Sequence, residues 1–240
     1  MITPIPSNRQ ERWDWIESFL QEWRPRIPAS PQQLDRQFAS MDNVDRFSLP
    51  QSMTEWYRLV GRQLESVVYQ NHFFPPDALK AMGDMLVVCV EHQGTVRWAI
   101  RLDDREAEDP PVFQDIKNTP AMNGGPRWKQ VSYSFSEFVV QLVILETMAF
   151  AGYRANGVLE RSGAEEIENT YSRLNLPDTY WPGNPTRFLV DGDRLLLQLD
   201  YGVPRSWLWI AAHDRETLFA AVEALDVDWQ DITTADDASS

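Results

Sequence analysis

The clearest hydrophobic pattern in the chain is a pair of apolar segments around a glycine, between residues 83 and 115. Met85 to Glu91 is rich in β-branched and apolar residues, which favours a buried strand. Gln93 and Gly94 then predict a two-residue hairpin turn, because glycine tolerates the positive φ that such a turn requires. Thr95 to Leu102 alternates between two faces and predicts the return strand. Its core face is expected to carry Val96, Trp98 and Ile100, and its wet face Arg97, Ala99 and Arg101.

Three helices are predicted ahead of this hairpin from apolar residues at helical spacing. The first follows Asn8, a favoured N-cap residue, and ends before Pro25. The second covers residues 31–41, and the third covers residues 51–61, where Gly61 is the expected stop. The connection to the hairpin is predicted to start with an extended segment at residues 64–69. A loop at residues 72–76 and one helical turn at residues 76–82 follow it.

Beyond the hairpin, the pattern predicts two further strands and a long helix. Val112 to Asp115 and Trp128 to Tyr133 are the strands, separated by a Gly/Pro-rich loop at residues 118–126. Ser134 and Glu137 form a capping box at the start of the helix. The apolar stripe of this helix is Phe138, Leu142, Leu145, Met148 and Phe150.

The C-terminal part of the chain repeats this order of strands and then helix. Residues 152–164 have the weakest pattern and are predicted to be a linker or a joint between sub-domains. An acidic helix is predicted at residues 164–174. Three strands follow at residues 186–190, 195–199 and 206–212, and a final helix, capped by Asp214, covers residues 214–225.

These elements predict an α+β protein with a central, largely antiparallel sheet flanked by helices. We expect the two groups of strands to build one continuous sheet. The predicted boundaries are a first domain at residues 1–152, a C-terminal extension at residues 153–228 packed on the same sheet, and a flexible tail at residues 229–240.

The charge balance narrows the choice of partners. The net charge of −14 and the pI near 4.6 disfavour nucleic-acid binding, which needs a patch of Lys and Arg. A basic protein partner fits better, although an acidic surplus can also simply keep a protein soluble. From residue 191 onward there are eleven acids and three Arg, a net of −8, so this part carries more than half of the excess charge.

The single cysteine and the hydropathy of the chain indicate a compartment. Cys89 lies in an apolar strand and cannot form an internal disulfide, which favours a reducing cytoplasm. Residues 8–23 are polar and helical in pattern, so we expect no signal peptide. The longest apolar run, residues 138–151, is interrupted by Gln141 and Glu146 and is too short to span a membrane. We therefore expect a cytoplasmic protein with no membrane partner.

The sequence shows no catalytic, metal-binding or cofactor-binding constellation. His72, His92 and His213 lack metal-ligand spacing. Cys89 and His92 would lie on opposite faces of a strand, although a distant histidine could still approach the thiol. The Asn-Gly-Gly sequence at residues 123–125 lacks the ending of a phosphate loop. We expect no catalytic residue, no metal, no cofactor and no small-molecule substrate.

Two groups of acidic residues are the candidate contacts for a basic partner, because clustered carboxylates steer association while buried aromatics supply most of the affinity. The group around Asp191 could hold a calcium ion, but it lacks the spacing of a calcium loop, and Asp191-Gly192 indicates a hairpin turn instead. The alternative for the first group is an ordinary solvated loop. The first group is Asp103, Asp104, Glu106, Glu108 and Asp109, and the second is Asp191, Asp193 and Asp200.

Several positions occur in an order that is typical of one known family. They are Leu49 and Pro50 before a helix ending at Gly61, Gly94 and Trp98 in the hairpin, Pro111 after the acidic run, and then Trp128, Phe135 and Phe138. In this order they resemble the SUKH superfamily, which includes fungal cell-wall-synthesis regulators of the Smi/Knr type and many bacterial immunity proteins. The resemblance covers about residues 30–150. Val60-Gly61-Arg62 stands where members commonly carry an Asn-Gly pair.

The resemblance implies an α+β fold and binding without catalysis. Many bacterial members are encoded beside polymorphic toxins and block those toxins by binding. We therefore predict a non-catalytic immunity protein that binds and neutralises a toxin with a basic surface, such as a nuclease domain. The alternatives are a regulatory or scaffold protein that binds a host protein, and an enzyme whose site would combine Cys89, a histidine and a carboxylate from distant parts of the chain.

Overall fold

The computed structural model describes residues 2, 4–24, 49–61, 64–68, 70–115, 127–180 and 185–235. The predicted helix at residues 31–41 and the predicted loop at residues 118–126 lie outside the described residues. Contacts divide the chain into two compact units, which we call the N-terminal unit (Pro6–Glu146) and the C-terminal unit (Met1–Ile5 with Thr147–Ser240). The division after Glu146 falls shortly before residue 152, where we predicted the end of the first domain.

The first helices of the N-terminal unit begin and end where their terminal residues predict. α1 spans Arg9–Trp23, and the Asn8 side chain accepts hydrogen bonds from two backbone amides of its first turn (2.8 and 3.4 Å). α2 spans Gln51–Val60 and ends at Gly61, whose φ of 54° favours glycine. The predicted N-cap and the predicted glycine stop are both confirmed.

The segment between α2 and the hairpin differs from the prediction. Leu64–Val67, in the segment expected to be extended, form a short helix, α3, and strand β1 (Asn71–Phe73) overlaps the start of the predicted loop. The carboxylate of the buried Glu146 accepts hydrogen bonds from the amides of Gln70 and Asn71 (2.8 and 2.9 Å) and holds this segment in place. A contact across 75 positions of sequence leaves no local pattern, which is why the prediction failed.

The N-terminal unit contains a six-stranded sheet, which we call the first sheet. A 3-10 turn at Pro76–Ala78 replaces the longer helical turn that we predicted, and strand β2 follows it. The strands after β1 are β2 (Lys80–Met82), β3 (Met85–Glu91), β4 (Arg97–Arg101), β5 (Val112–Asp115) and β6 (Trp128–Ser132). The order is β1-β3-β4-β5-β6, with β2 also paired to β3, and every pairing is antiparallel.

The β3–β4 hairpin has a longer connection than predicted. Five residues, His92 to Val96, connect the strands rather than two, and the Glu91 amide donates a hydrogen bond to the Val96 carbonyl (2.9 Å). Gly94 lies in this connection with a φ of 73°, as a glycine at a turn should. The Glu91 carboxylate accepts a hydrogen bond from the Thr95 hydroxyl (3.0 Å) and stabilises the wider loop. The return strand therefore begins at Arg97 instead of Thr95.

Helix α4 (Phe135–Phe150) follows β6, and its start keeps one half of the predicted capping box, because the Glu137 carboxylate bonds the Tyr133 amide instead of the Ser134 amide. The Glu137 amide donates to the Ser134 hydroxyl (3.3 Å), and the Glu137 carboxylate accepts a hydrogen bond from the Tyr133 amide (3.0 Å). Most of the predicted apolar stripe is buried, but Phe150, at its end, is 41% exposed.

Aromatic side chains from α2 and α4 pack on one face of the first sheet. Phe73 contacts Trp56 and Phe135 with ring centroids 5.9 and 6.0 Å apart, and Trp98 contacts Phe138 at 5.9 Å. Such rings bury large apolar areas and prefer tilted or edge-on contacts. We call this the inner face, and the opposite face the outer face.

The remaining positions of the family resemblance are also structural. Pro50 is the N-cap residue of α2, and Leu49 precedes it. Pro111 leads into β5, and Trp128 opens β6. These positions shape the ends of elements and are not a site in themselves.

The C-terminal unit contains a second sheet, of seven strands. They are β7 (Tyr153–Leu159), β8 (Ser172–Arg173), β9 (Thr179–Tyr180), β10 (Pro185–Asp191), β11 (Leu195–Asp200), β12 (Ser206–Ala212) and β13 (Asp228–Thr233). Their order is β13-β7-β12-β11-β10-β8, with β9 also paired to β10, and all pairings are antiparallel.

Two predictions are wrong in this sheet. The segment predicted to be a linker contains β7, which pairs with both β12 and β13. The tail predicted to be flexible from residue 229 contains most of β13. Gly157 lowers the strand propensity of β7, yet β13 requires it. A Cβ at this position would lie 2.6 Å from Val227 Cγ1 and 2.7 Å from the carbonyl oxygen of Asp228.

Two helices pack on one face of the second sheet. α5 (Arg161–Thr170) and α6 (Arg215–Ala224) contribute Ile167 and Leu218 to the same core as the sheet residues Leu208 and Ile210. α5 ends before the predicted limit of residue 174 because β8 follows it. Asp214 caps α6 as predicted, accepting a hydrogen bond from the Thr217 amide (2.9 Å).

The structure confirms the predicted α+β class with antiparallel sheet pairing. The two groups of strands nevertheless form separate sheets, so the prediction of one continuous sheet is wrong. The C-terminal strands are a complete layer with their own helices and core, and not an extension of the first sheet.

Candidate functional site

The acidic segment between β4 and β5 is a loop anchored at both ends. A 3-10 turn covers Leu102–Asp104, and the Leu102 amide donates to the Asp84 carbonyl (2.8 Å). At the other end, the Ser52 amide in the first turn of α2 donates to the Glu108 carbonyl (2.9 Å). The backbone of this loop is therefore fixed by the fold.

Two of the predicted contact residues in this loop have structural partners. Asp109 accepts hydrogen bonds from the amide (2.9 Å) and the hydroxyl (2.6 Å) of Ser136, in the first turn of α4. A carboxylate at that position also complements the positive end of the helix dipole. Glu108 forms an ion pair with Arg9 (3.1 Å).

The other three acids of the loop differ from Asp109 and Glu108 in their environment. Asp103 and Glu106 are exposed, and Asp104 is partly buried. None of the three forms an ion pair with any residue that the structure describes. Of the five predicted contacts, these three remain candidates for binding a basic partner.

The second predicted group of acids is not a cluster. Asp191 closes the β10–β11 hairpin near its turn, whereas Asp200 lies opposite Thr186 at the far end. At about 3.4 Å per residue, the two are roughly 17 Å apart. Asp193, in the turn itself, accepts a hydrogen bond from the Ile2 amide (2.7 Å). The three carboxylates therefore cannot share one ion.

Asp200 is buried, so it is not the exposed contact that we predicted. Its exposure is 6%, and it accepts hydrogen bonds from the Thr186 hydroxyl (2.6 Å) and the Gln198 side-chain amide (3.1 Å). Burial raises its pKa to about 6, although these hydrogen bonds favour the charged form.

Strand β12 carries two exposed tryptophans that the sequence analysis did not single out. Trp207 and Trp209 are 40% and 37% exposed, with ring centroids 6.4 Å apart and an angle of 26° between the planes. Leu208 and Ile210 alternate with them and pack on the helices, so the tryptophans lie on the opposite face of the sheet. We call this pair the tryptophan shelf. Two tryptophans at alternate positions of a strand were the available signal.

The strand register places polar groups on both sides of the tryptophan shelf. Two rows of side chains cross the strands β11, β12, β7 and β13 on this face of the sheet. The first row is Asp200, Trp207, Val158 and Asp228, and the second is Gln198, Trp209, Asn156 and Asp231. Asp228 and Asp231, on the edge strand, are exposed. Arg205 approaches Asp228 (3.8 Å) and neutralises part of this charge.

A group of ionic and aromatic side chains joins α5 to strand β10. Arg187 pairs with Glu168 and with Asp178 (3.2 Å), and its guanidinium lies 4.8 Å from the centre of the Tyr201 ring. Burial raises the pKa of Tyr201, and its hydrogen bond to Glu168 acts in the same direction. Arg173 also pairs with Asp178, so the opposite charges balance. This arrangement is that of a structural ion network.

Cys89, which the enzyme hypothesis requires as a nucleophile, lies where its reactive form is disfavoured. Cys89 is fully buried, and desolvation raises the pKa of its thiol well above the ordinary value. The thiolate that would act as a nucleophile is therefore disfavoured. His72 and His92 are exposed in the N-terminal unit, while His213 belongs to the C-terminal unit. Within the described ranges, no three His, Cys, Asp or Glu side chains are grouped so that they could hold a metal.

Comparison with known proteins gives no relative. No family model, no curated protein and no solved structure matches the chain. Among the described helices, none combines the length and the hydropathy needed to cross a membrane.

Proposed function

We propose that this chain is a non-catalytic protein-binding module. The observation that carries the proposal is the tryptophan shelf on a sheet face that α5 and α6 leave uncovered. Tryptophan is among the residue types most enriched at the energetic centres of protein interfaces. Burying two such rings under a partner would desolvate a large apolar area that the isolated chain leaves in water.

Within that class, we propose a cytoplasmic immunity protein of the SUKH type. It binds and neutralises a polymorphic toxin that has a basic surface, such as a nuclease domain. The order of motifs from Leu49 to Phe138 supports the family, and the net charge of −14 supports a basic partner. The exposed Asp228 and Asp231 beside the tryptophan shelf are suited to cations at the rim of such an interface.

The two kinds of surface have different physical roles in this proposal. The negative field of the whole molecule, with Asp103 and Glu106 among its exposed sources, accelerates encounter with a basic protein. Trp207 and Trp209 then supply the contact that keeps the complex together. Neutralisation follows from occlusion of the toxin surface, which requires no chemical step.

The experiment is to co-express the chain with the product of the neighbouring gene and to measure complex formation and rescue of growth. The double variant Trp207→Ser/Trp209→Ser should weaken the complex by at least about 30-fold, which corresponds to a hot spot of about 2 kcal/mol. Tyr133→Ser is the matched control, because Tyr133 is an aromatic residue that is 77% exposed elsewhere.

A stoichiometric complex and rescue by the wild-type chain, lost in the tryptophan variant and kept in the Tyr133→Ser variant, would support the proposal. Failure of the wild-type chain to bind or to protect would overturn the immunity role. A host protein recovered with a locus that contains no toxin gene would replace it with the regulatory or scaffold role. Equal weakening by Tyr133→Ser would remove the tryptophan shelf as the binding surface.

A further inference from the structure

The outer face of the first sheet has a charge opposite to that of the molecule as a whole. Strand register places Lys80 opposite Val87, Arg101 opposite Met85 and Arg97 opposite Val90 on this face. Arg127 adjoins it at the start of β6, where its guanidinium lies 5.8 Å from the centre of the Trp128 ring. Four cations thus meet on one face of a chain whose net charge is −14.

One acid lies among these cations, and it is already paired. Asp115 is 4% exposed and accepts hydrogen bonds from Arg97 (3.4 Å) and Arg127 (2.9 Å). The exposed Asp84 and Asp103 lie beyond the strand ends, next to Met85 and Arg101. Among the described residues of the outer face, the balance is four cations against one buried carboxylate, a local charge of +3.

Aromatic rings hold the outer cations in defined positions. The Arg101 guanidinium lies 4.5 Å from the centre of the Phe113 ring, and the Lys80 ammonium lies 5.7 Å from that of Phe74. The side chains of Lys80, Arg101 and Arg127 are nevertheless exposed. Stacking leaves the edges of a guanidinium group able to donate to a planar anion. The face is therefore a preformed array of donors above an apolar layer.

We propose that the outer face of the first sheet docks an acidic protein segment, rich in Asp and Glu. This is a second interaction surface, and it does not rest on the proposed function of the tryptophan shelf. Charge complementarity selects the occupant, because the donors of Lys80, Arg101 and Arg127 match carboxylates. Their fixed positions favour recognition of a short segment over a diffuse charge.

A nucleic acid fits this face less well than an acidic peptide. Single-stranded nucleic acid needs aromatic faces on which bases can stack. Here Phe113 is 6% exposed and covered by Arg101, so its ring is occupied by the cation. A long polyanion would also meet the negative field of the rest of the chain, whereas a short segment would contact only the basic face.

The test uses the full chain and three fluorescent probes followed by anisotropy: a twelve-residue Asp/Glu peptide, its Asn/Gln counterpart and a twelve-nucleotide deoxythymidine strand. The acidic peptide should bind at low salt and weaken as salt rises. The variant Lys80→Glu/Arg101→Glu should reduce its affinity by roughly tenfold, because it reverses two of the exposed cations of this face. Arg101→Lys, which keeps the charge but loses the stacked guanidinium, should bind more weakly than the wild type and more tightly than the charge-reversed variant.

The matched control is Arg215→Glu, because Arg215 also lies over a ring, that of Phe219 at 5.3 Å, but in α6. This variant should bind the acidic peptide as the wild type does, and so should Trp207→Ser/Trp209→Ser. Equal binding of the Asn/Gln peptide, or equal loss in Arg215→Glu, would overturn the proposal. Tighter binding of the deoxythymidine strand would assign the face to nucleic acid instead. Self-association that Lys80→Glu/Arg101→Glu abolishes would make a second copy the occupant.

Discussion

Single side chains in this protein show how burial changes the properties of an acid. The sequence presents Asp200 as one more carboxylate in an acidic region, but the fold buries it at the end of β11, where it also accepts a hydrogen bond from the Trp209 side chain. Its pKa rises to about 6 because burial disfavours the charged form. The pKa of Asp200 in the folded protein exceeds its ordinary value. The contribution of this group to the stability of the fold is therefore complete below about pH 4 and is lost as the pH rises through 6.

We predict that Asp200→Asn stabilises the protein relative to wild type at neutral pH but not at acid pH. The difference between a pKa of about 6 and the ordinary 3.8 corresponds to roughly 3 kcal/mol at pH 8. Urea unfolding of both proteins at pH 4, 6 and 8 measures this difference. A difference in the free energy of unfolding that does not change with pH would show that Asp200 is not the titrating group.

At the scale of elements, the start of α4 depends on a residue that the sequence assigns to a partner contact. Asp109 accepts two hydrogen bonds from Ser136, and Ser134 and Glu137 complete the cap. The charge of Asp109 is therefore used within the fold. An acidic run in sequence does not reveal which of its members are already bound.

We predict that Asp109→Ala lowers the free energy of unfolding by about 1–2 kcal/mol, as loss of a helix cap does. Asp103→Ala, an exposed position six residues earlier in the same loop, should change it by less than about 0.5 kcal/mol. Chemical denaturation of the two variants and the wild type is the measurement. Equal stabilities for both variants would contradict a capping role for Asp109.

Elements with strong local signals were predictable, and elements fixed by distant contacts were not. Asn8, Gly61, Ser134 and Asp214 marked helix ends correctly, because caps act within one turn. β7 escaped prediction because its stability comes from pairing on both edges, not from its residues. β1 depends on Glu146 in the same way.

The candidate surfaces were only partly predictable for the same reason. The exposure of Asp103 and Glu106 follows from their loop, so sequence suffices for them. The tryptophan shelf depends on which face of β12 the helices α5 and α6 cover, and no local pattern determines that. The basic outer face assembles residues of β2 and β4 with Arg127, just before β6, and these come together only in the folded sheet.

At the scale of the whole molecule, the net charge of −14 predicts that the exposed acids and the tryptophan shelf affect different rate constants of binding. Asp103→Asn/Glu106→Gln should lower the association rate constant with the basic partner at low salt and leave the dissociation rate nearly unchanged. Trp207→Ser/Trp209→Ser should act mainly on the dissociation rate. Surface binding kinetics at two ionic strengths measure both constants. If the charge variant changed only the dissociation rate constant, electrostatic steering would be contradicted.

The bond between the Ile2 amide and Asp193 ties together positions that are 191 residues apart. Because Met1–Ile5 belongs to the C-terminal unit, the N-terminal unit is an insertion within it. A ribosome adding about 5–20 residues per second needs roughly 10–40 s to synthesise the intervening chain. Ile2 must remain unpaired for that time, and a fragment that starts at Thr147 would lack it altogether.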